Sequence, residues 1–261
     1  MNITVCIKQV PATAEVKIDP KTNTLIRQGI KSIINPFDTY ALEEGVRLKE
    51  RYGGEVTVIS MGPPQAEAAL REAISLGADK AVLLSDPAFA GADTLATACT
   101  LAKALEKLGK HDLVICGRQT LDGDTGQVGP ELAEMLGVAF IAYVSKVEEI
   151  ADGKMRAQRM IEEGHEVMEA PLPALITVVK EINVPRLPSL RGIAKSKSAV
   201  VPVWGARELG ADPGMVGLAG SATRVIKVFT PQRISCAEIL SGDLAGQVEA
   251  LVSKLKTADL I

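Results

Sequence analysis

A short apolar run followed by a longer stretch with helical spacing recurs four times in the first 137 residues. The runs at 3–10, 56–60, 81–84 and 113–116 have strand length, and the stretches between them repeat apolar residues three and four apart. Within 36–52, Ala41, Leu42, Val46 and Leu48 fall close to one face, with Glu43, Glu44, Lys49, Glu50 and Arg51 mostly opposite. Parallel strands need helical crossovers, so the alternation predicts an α/β fold: a doubly wound, mostly parallel sheet of the adenine-nucleotide-binding, Rossmann-like kind. In such a sheet ligands gather at the carboxyl ends of the strands. Three loops converge there: the one after the first strand, the turn at Met61-Gly62-Pro63, and the one after the fourth strand.

Local punctuation agrees with this reading. Asn35 can cap a helix, Pro36 suits its first position, Asp38 adds charge to its first turn, and Gly53-Gly54 ends it near Tyr52. Further helices are expected from the Pro63-Pro64 turn to Leu76 and over 94–108. Past Gly137, strands at 141–147, 155–160 and 174–179 extend the sheet, partly antiparallel, with an acidic turn at Glu162-Glu163-Gly164. Residues 184–203 hold Pro185, Arg186, Pro188, Arg191, Lys195 and Lys197 with few helix signals, and read as an exposed irregular segment that invites a partner. Residues 209–223 are rich in Gly and Ala and read as a flexible linker. The tail at 235–260 carries an apolar stripe that must dock, on its own body or on another subunit. The domain organisation expected is therefore 1–204 as the nucleotide-binding domain and 205–261 as linker and C-terminal helical arm.

Composition removes several classes. With 29 Lys+Arg against 32 Asp+Glu and 3% aromatics, the chain has neither the basic field nor the stacking rings of a nucleic-acid binder. No apolar window reaches the roughly 18 residues of a membrane span, and a strand-like run opens the chain without a signal or transit pattern, so a cytoplasmic protein is expected. Cys6, Cys99, Cys116 and Cys236 form no C-x-x-C pair, and His111 and His165 have no ligand spacing, so buried thiols and no metal centre are expected. No catalytic constellation is visible, and the G-x-x-x-x-G-K-[ST], G-x-G-x-x-G and G-x-S-x-G patterns are missing from the sequence.

The fourth apolar run breaks into Gly117-Arg118-Gln119-Thr120-Leu121-Asp122-Gly123-Asp124-Thr125-Gly126-Gln127-Val128-Gly129-Pro130 and then a helical pattern. At the carboxyl end of a parallel strand, such a loop places backbone N–H groups and a positive helix end where a phosphate can sit. The glycines let amides approach a diphosphate, Thr125 offers a hydroxyl, and a helix starting near Thr125 aims its dipole at the anion. Asp122 and Asp124 cannot both face phosphate, so one is expected on a ribose hydroxyl or as a helix cap. Arg118 either neutralises the diphosphate or lies near a ring. The alternative is a solvated connection that binds nothing.

Taken together the motifs resemble the beta subunit of electron-transfer flavoproteins along nearly the whole chain. The resemblance is carried by Val5-Cys6-Ile7-Lys8-Gln9-Val10, by Asn35-Pro36-Phe37-Asp38 with the helix at 42–49, by Met61-Gly62-Pro63, and by 117–127. A further signature spans Arg159, Glu162, Glu163, Gly164, Glu166 and 173–177, with Met168 where the family usually has Leu, Ile or Val. The family's nucleotide contacts then fall at Cys6, at Asn35, Pro36, Phe37 and Asp38, at Met61 and Gly62, and along Gly117, Arg118, Gln119, Thr120, Leu121, Asp122, Gly123, Asp124, Thr125, Gly126, Gln127 and Val128.

The resemblance implies an alpha-subunit partner that carries a redox-active FAD. It also implies a nucleotide on this subunit, AMP in the ordinary branch serving acyl-CoA dehydrogenases and a second FAD in the electron-bifurcating branch. The loop at 122–130 looks like the bifurcating branch, so FAD is favoured, with NADH as donor, ferredoxin or flavodoxin as low-potential acceptor, and a partner flavin dehydrogenase. The family's recognition loop falls at 187–197, with Leu190 as the apolar anchor and Arg186, Arg191 and Lys195 as steering charges. Two other readings stay open: a nucleotide-binding regulatory module needing no alpha subunit, and a structural subunit holding AMP as packing.

Overall fold

The computed structural model describes residues 1–12, 32–226 and 237–261. Those residues form β1 (Asn2–Cys6), β2 (Gln9–Pro11), β3 (Ser32–Ile34), α1 (Pro36–Tyr52), β4 (Glu55–Met61), α2 (Glu67–Ser75), β5 (Lys80–Leu84), α3 (Thr94–Leu108), β6 (Leu113–Gly117) and α4 (Val128–Leu136). There follow β7 (Ala139–Ala151), β8 (Lys154–Ile161), β9 (Gly164–Pro171), β10 (Ala174–Val178), α5 (Leu190–Ser198), β11 (Val203–Trp204), α6 (Ala206–Leu209) and α7 (Leu244–Thr257).

One sheet takes nine strands in the order β11-β5-β4-β1-β6-β10-β7-β8-β9. Its strands are parallel from β11 to β7 and antiparallel from β7 to β9. The chain fills positions on one side of β1 with β4 and β5, then crosses to β6 on the other side. This reversal leaves a crevice outside the ends of β1 and β6, the topological switch point where α/β sheets bind ligands. The buried strands read as near-continuous apolar runs because helices cover both faces. One face packs against α1 and α2 through Leu42, Val46, Leu70 and Ile74, the other against α3 and α4 through Leu101, Leu105 and Leu132. Each such aliphatic side chain contributes about 2 kcal/mol of transfer free energy.

Several expectations change. The first strand ends at Cys6, because residues 9–11 turn away to pair with β3 in a separate two-stranded ribbon. The stretch after the acidic turn is a full strand, β9, paired along its length with β8. Within the segment expected to be irregular, α5 forms. Ser189 caps it by accepting from Gly192 N–H at 2.9 Å, and Arg71 holds its carboxyl end by donating to Ser196 O at 2.7 Å and Ala199 O at 3.2 Å. Residues 209–223 are not a free linker: Leu209 and Val216 are buried, and Asp93 accepts from Thr223 N–H at 2.8 Å. The compact body accordingly runs Met1–Ile226, not to residue 204, because these side chains complete the core over α3.

Lys227–Ile261 is a second compact unit. Within it, Asp243 caps α7 by accepting from Gly246 N–H at 3.1 Å, and no residue of that helix is buried. Ser235 and Cys236 lie outside the described residues. Among the described residues no helix is long and apolar enough to cross a membrane.

Candidate nucleotide site at the sheet switch point

Three segments meet at the crevice, and side chains tie them together. The Asn35 amide donates to Gln119 O at 2.8 Å and to Asp38 Oδ1 at 3.0 Å, while its Oδ1 accepts from Leu121 N–H at 3.2 Å. The loop after β6 is thus fastened to the start of α1. Asn35, the expected cap of α1, makes no side-chain cap, because the Oδ1 that would accept from the first turn accepts from Leu121 N–H instead. Lys8, just past β1, donates its N–H to Asp38 Oδ2 at 2.7 Å and accepts from Asn35 N–H at 2.8 Å. Its ammonium pairs with Asp122 at 2.8 Å, closing the β1 and β6 loops over one another.

Asp38 sits 5% exposed beneath this junction. Burial pushes its carboxyl up to about 7, against the pull of hydrogen bonds from Asn35, Lys8 N–H and Gly117 N–H. Its ordinary value is 3.8, so between those values the unfolded chain gives up the proton while the folded chain keeps it. Folding stability contributed by this group is complete below about pH 4, falls as pH rises to about 7, and is flat above. Asp38→Asn cannot ionise, so the protein should lose stability relative to that variant across this window. Equilibrium urea unfolding at pH 4.5 and 8 checks it, and parallel curves for the two proteins would contradict the assignment.

Gly117 lies directly against Asp38, and a Cβ there would overlap Asp38 Oδ1 and fall 2.7 Å from the Phe37 carbonyl carbon. Beyond it, Arg118 donates from Nε to Gln119 Oε1 at 2.6 Å, and its guanidinium lies 5.6 Å from the Phe37 ring and 5.5 Å from the Tyr143 ring. Among the described residues Arg118 has no carboxylate partner. Gln119 donates in turn to Asp124 Oδ1. Residues 121–125 form the exposed crest.

The helix expected near Thr125 starts at Val128, because Asp124 at φ 50° and Gly126 at φ 65° turn the chain through left-handed conformations. Neither Asp122 nor Asp124 caps it, since one holds Lys8 and the other Gln119. Gln127 precedes α4 without a side-chain cap, so the first-turn N–H groups of Val128 and Gly129 meet no capping oxygen.

Met61 and Gly62 lie at the end of β4, the neighbour of β1 on the other side, at the same edge of the sheet. Among the described residues no hydrogen bond links them to the loop after β6; Gly62 N–H donates to Leu84 O at 3.0 Å. Cys6 and Cys116 stand in register on β1 and β6, and their mutual hydrogen bond first, then burial, pushes the Cys116 thiol well up. These two cysteines are buried thiols, as expected. Leu190 is 88% exposed at the start of α5. Of its supposed steering charges, Arg186 is taken up by Glu43 and Glu50, and Lys195 donates to Ala78 O at 3.0 Å; Arg191 stays exposed. A separate cleft of about 520 Å³ opens beside the second half of α1, lined by Glu44, Arg47, Arg51 and Lys146, none of them among the expected nucleotide contacts.

Tyr143 stands beside Arg118 as well, a neighbour the sequence does not announce. Two β7 residues, Ala142 and Tyr143, face Thr177 alone on β10, and this bulge turns the Tyr143 ring toward Arg118. No local signal marks a bulge within a long strand.

These features suit an anionic, phosphate-bearing ligand: a glycine crest where a Cβ on Gly123 would meet only Thr120 Oγ1 at 3.6 Å, an uncapped helix start, and an arginine beside a phenyl ring with no carboxylate partner among the described residues. The electron transfer flavoprotein domain family matches residues 22–209. A beta subunit of electron transfer flavoprotein from Thermoanaerobacterium thermosaccharolyticum is 52% identical over 262 residues, covering 100% of both chains. One from Clostridium acetobutylicum is 51% identical over 98% of both. Subunit CarD of the caffeyl-CoA reductase-Etf complex from Acetobacterium woodii is 47% identical over 100% of both. The chain belongs to the electron transfer flavoprotein family, as a beta subunit.

Proposed function

We propose that the crevice at the ends of β1 and β6 holds FAD, and that the chain acts with an alpha subunit in flavin-based bifurcation. In this reading electrons pass from NADH to a low-potential acceptor such as ferredoxin or flavodoxin and to a partner flavin dehydrogenase. The observation that carries it is Arg118, a cation with no carboxylate partner among the described residues, over the Phe37 ring beside the uncapped start of α4. That combination suits a ligand with both a planar ring and a diphosphate. A bound flavin would supply the hydride and single-electron chemistry, which no side chain here can perform.

The chain's own part is to bind and orient. Lys8 and Asp122 clasp the two loops together, Asn35 fixes the backbone of the glycine loop to α1, and Thr125 and the α4 amides face the anion. Leu190, with Arg191 beside it and Lys195 anchoring its helix, is the proposed contact for the dehydrogenase. Sequence likeness to a subunit of a caffeyl-CoA reductase complex supports a partner acting on a CoA thioester. The α7 unit is proposed to dock on the alpha subunit through its exposed apolar residues.

The test is to purify the chain with its companion subunit, release the ligands and record their spectra. Two FAD per complex, bleached by NADH, is the expected result. One FAD with one AMP and no bleaching would replace this reading by the form that serves acyl-CoA dehydrogenases. A colourless chain carrying ATP, with no companion subunit, would make it a regulatory module.

A further inference from the structure

Tyr143 has a backbone conformation that needs a cause. It lies at φ 56° inside a strand, where a bulky side chain is sterically disfavoured. The other non-glycine residues with positive φ among the described ones are Asp124, Asp152 and Asp259, a residue type that tolerates this region. The conformation is held from behind: Thr177, buried on β10, accepts from Tyr143 N–H at 3.1 Å. Yet the ring so placed is not core, being 43% exposed.

Among the described residues, the specific engagement of the ring is with Arg118. The guanidinium carbon lies 5.5 Å from the Tyr143 ring and 5.6 Å from the Phe37 ring, so two rings from different elements restrain one cation. Nε is used on Gln119, and among the described residues both terminal nitrogens lack a protein acceptor. A carboxylate would orient an arginine equally well but would neutralise it. Rings orient it and leave its charge and its fork of N–H donors for something else.

We propose that Tyr143 is a positioning residue of the nucleotide site. Its ring closes a clamp with Phe37 that aims the Arg118 guanidinium at a phosphate group of the bound nucleotide. The inference rests on the nucleotide reading above and adds to it both a residue and a ligand group.

The test uses the full chain with its companion subunit, stripped of bound ligand, and measures binding of ADP and of adenosine. Tyr143→Leu should weaken ADP binding about fivefold, the upper end for a partly exposed cation–π contact, and adenosine binding less than about twofold. Tyr143→Phe should bind ADP within about twofold of the unaltered protein, since the ring suffices. Tyr143→Gly suits the left-handed backbone, so it guards against misfolding; it should lose ADP affinity as Tyr143→Leu does. In an Arg118→Met background, Tyr143→Leu should cost nothing further. Unchanged ADP affinity in Tyr143→Leu, an equal loss for adenosine, or a loss that persists without Arg118 would each overturn the proposal. If the unaltered complex binds no ADP, the nucleotide reading falls and takes this inference with it. If it binds ADP but Tyr143 and Arg118 show no coupling, this inference falls alone.

Discussion

Gly117→Ala is expected to yield a protein destabilised by about 3 kcal/mol that retains no nucleotide, the cost of forcing a methyl group into a closed contact between backbones. The added carbon would overlap Asp38 Oδ1 and lie 2.7 Å from the Phe37 carbonyl carbon and 2.9 Å from Asp38 N. Two of those atoms are backbone at the start of α1, so no rotamer change relieves the overlap. Either α1 withdraws or the end of β6 does. Asn35 and Lys8 are bonded to the same carboxylate, so withdrawal strains the junction that holds the glycine loop to α1. Thermal unfolding and ligand content of the purified complex measure both parts. Gly123→Ala separates packing from ligand contact, since its Cβ would meet only Thr120 Oγ1 at 3.6 Å. That variant should melt like the unaltered protein yet hold nucleotide less tightly. A Gly117→Ala protein with normal stability and full ligand would refute the junction's role.

The contrast between Gly117 and its neighbours shows what a sequence can announce. Short-range rules placed α1 from Pro36 to Tyr52 and α3 from Thr94 to Leu108, because proline at the first turn, glycine at the end and apolar periodicity are local causes. That the strands are parallel and carry their loops at one set of ends followed from alternation alone, whereas the reversal between β1 and β6 is visible only in the strand order. What stayed hidden depends on partners far along the chain. Asn35 looks like a cap until Gln119 and Leu121, more than 80 residues on, claim its amide. Asp38 looks like a solvated first-turn charge until burial raises it. Helix α5 has a serine cap and basic residues in its last turn, but its glycine and small side chains make it weak alone. Gly192 rests against Ser75 O and Arg71 binds its final carbonyls, so tertiary contact stabilises it where propensity does not.

Arg186→Met should loosen the segment that carries Leu190 while leaving the nucleotide in place. Arg186 donates to Glu43 from N, Nε and Nη2 at 3.2, 2.8 and 3.1 Å, and to Glu50 from Nη1 and Nη2 at 2.6 and 3.0 Å. The Glu43 side chain is only 8% exposed, so removing its partner leaves a carboxylate in a nearly dry site. The arginine itself is one-third exposed, which tempers the penalty to about 2 kcal/mol. Glu50 would lose the hydrogen bond that holds it below the ordinary carboxylate range. These contacts anchor residues 183–186 to α1, with Asn183 bonded to Tyr40 O and Glu44 Oε2 at 3.1 Å each. Val184, Leu187 and Leu190 meanwhile project at 86–88% exposure. A tether at its root and apolar side chains at its tip make the segment a preformed contact, which binds with less ordering cost than a loose one. Amide exchange across 184–198 should therefore quicken in Arg186→Met, and electron delivery to the dehydrogenase should fall with it. Leu190→Ala isolates the tip: stability should not change, because the side chain is already in water, while delivery falls roughly thirtyfold if it is the anchor. Delivery unaffected by Leu190→Ala would remove the anchor, and delivery unaffected by Arg186→Met despite faster exchange would show that preorganisation does not matter.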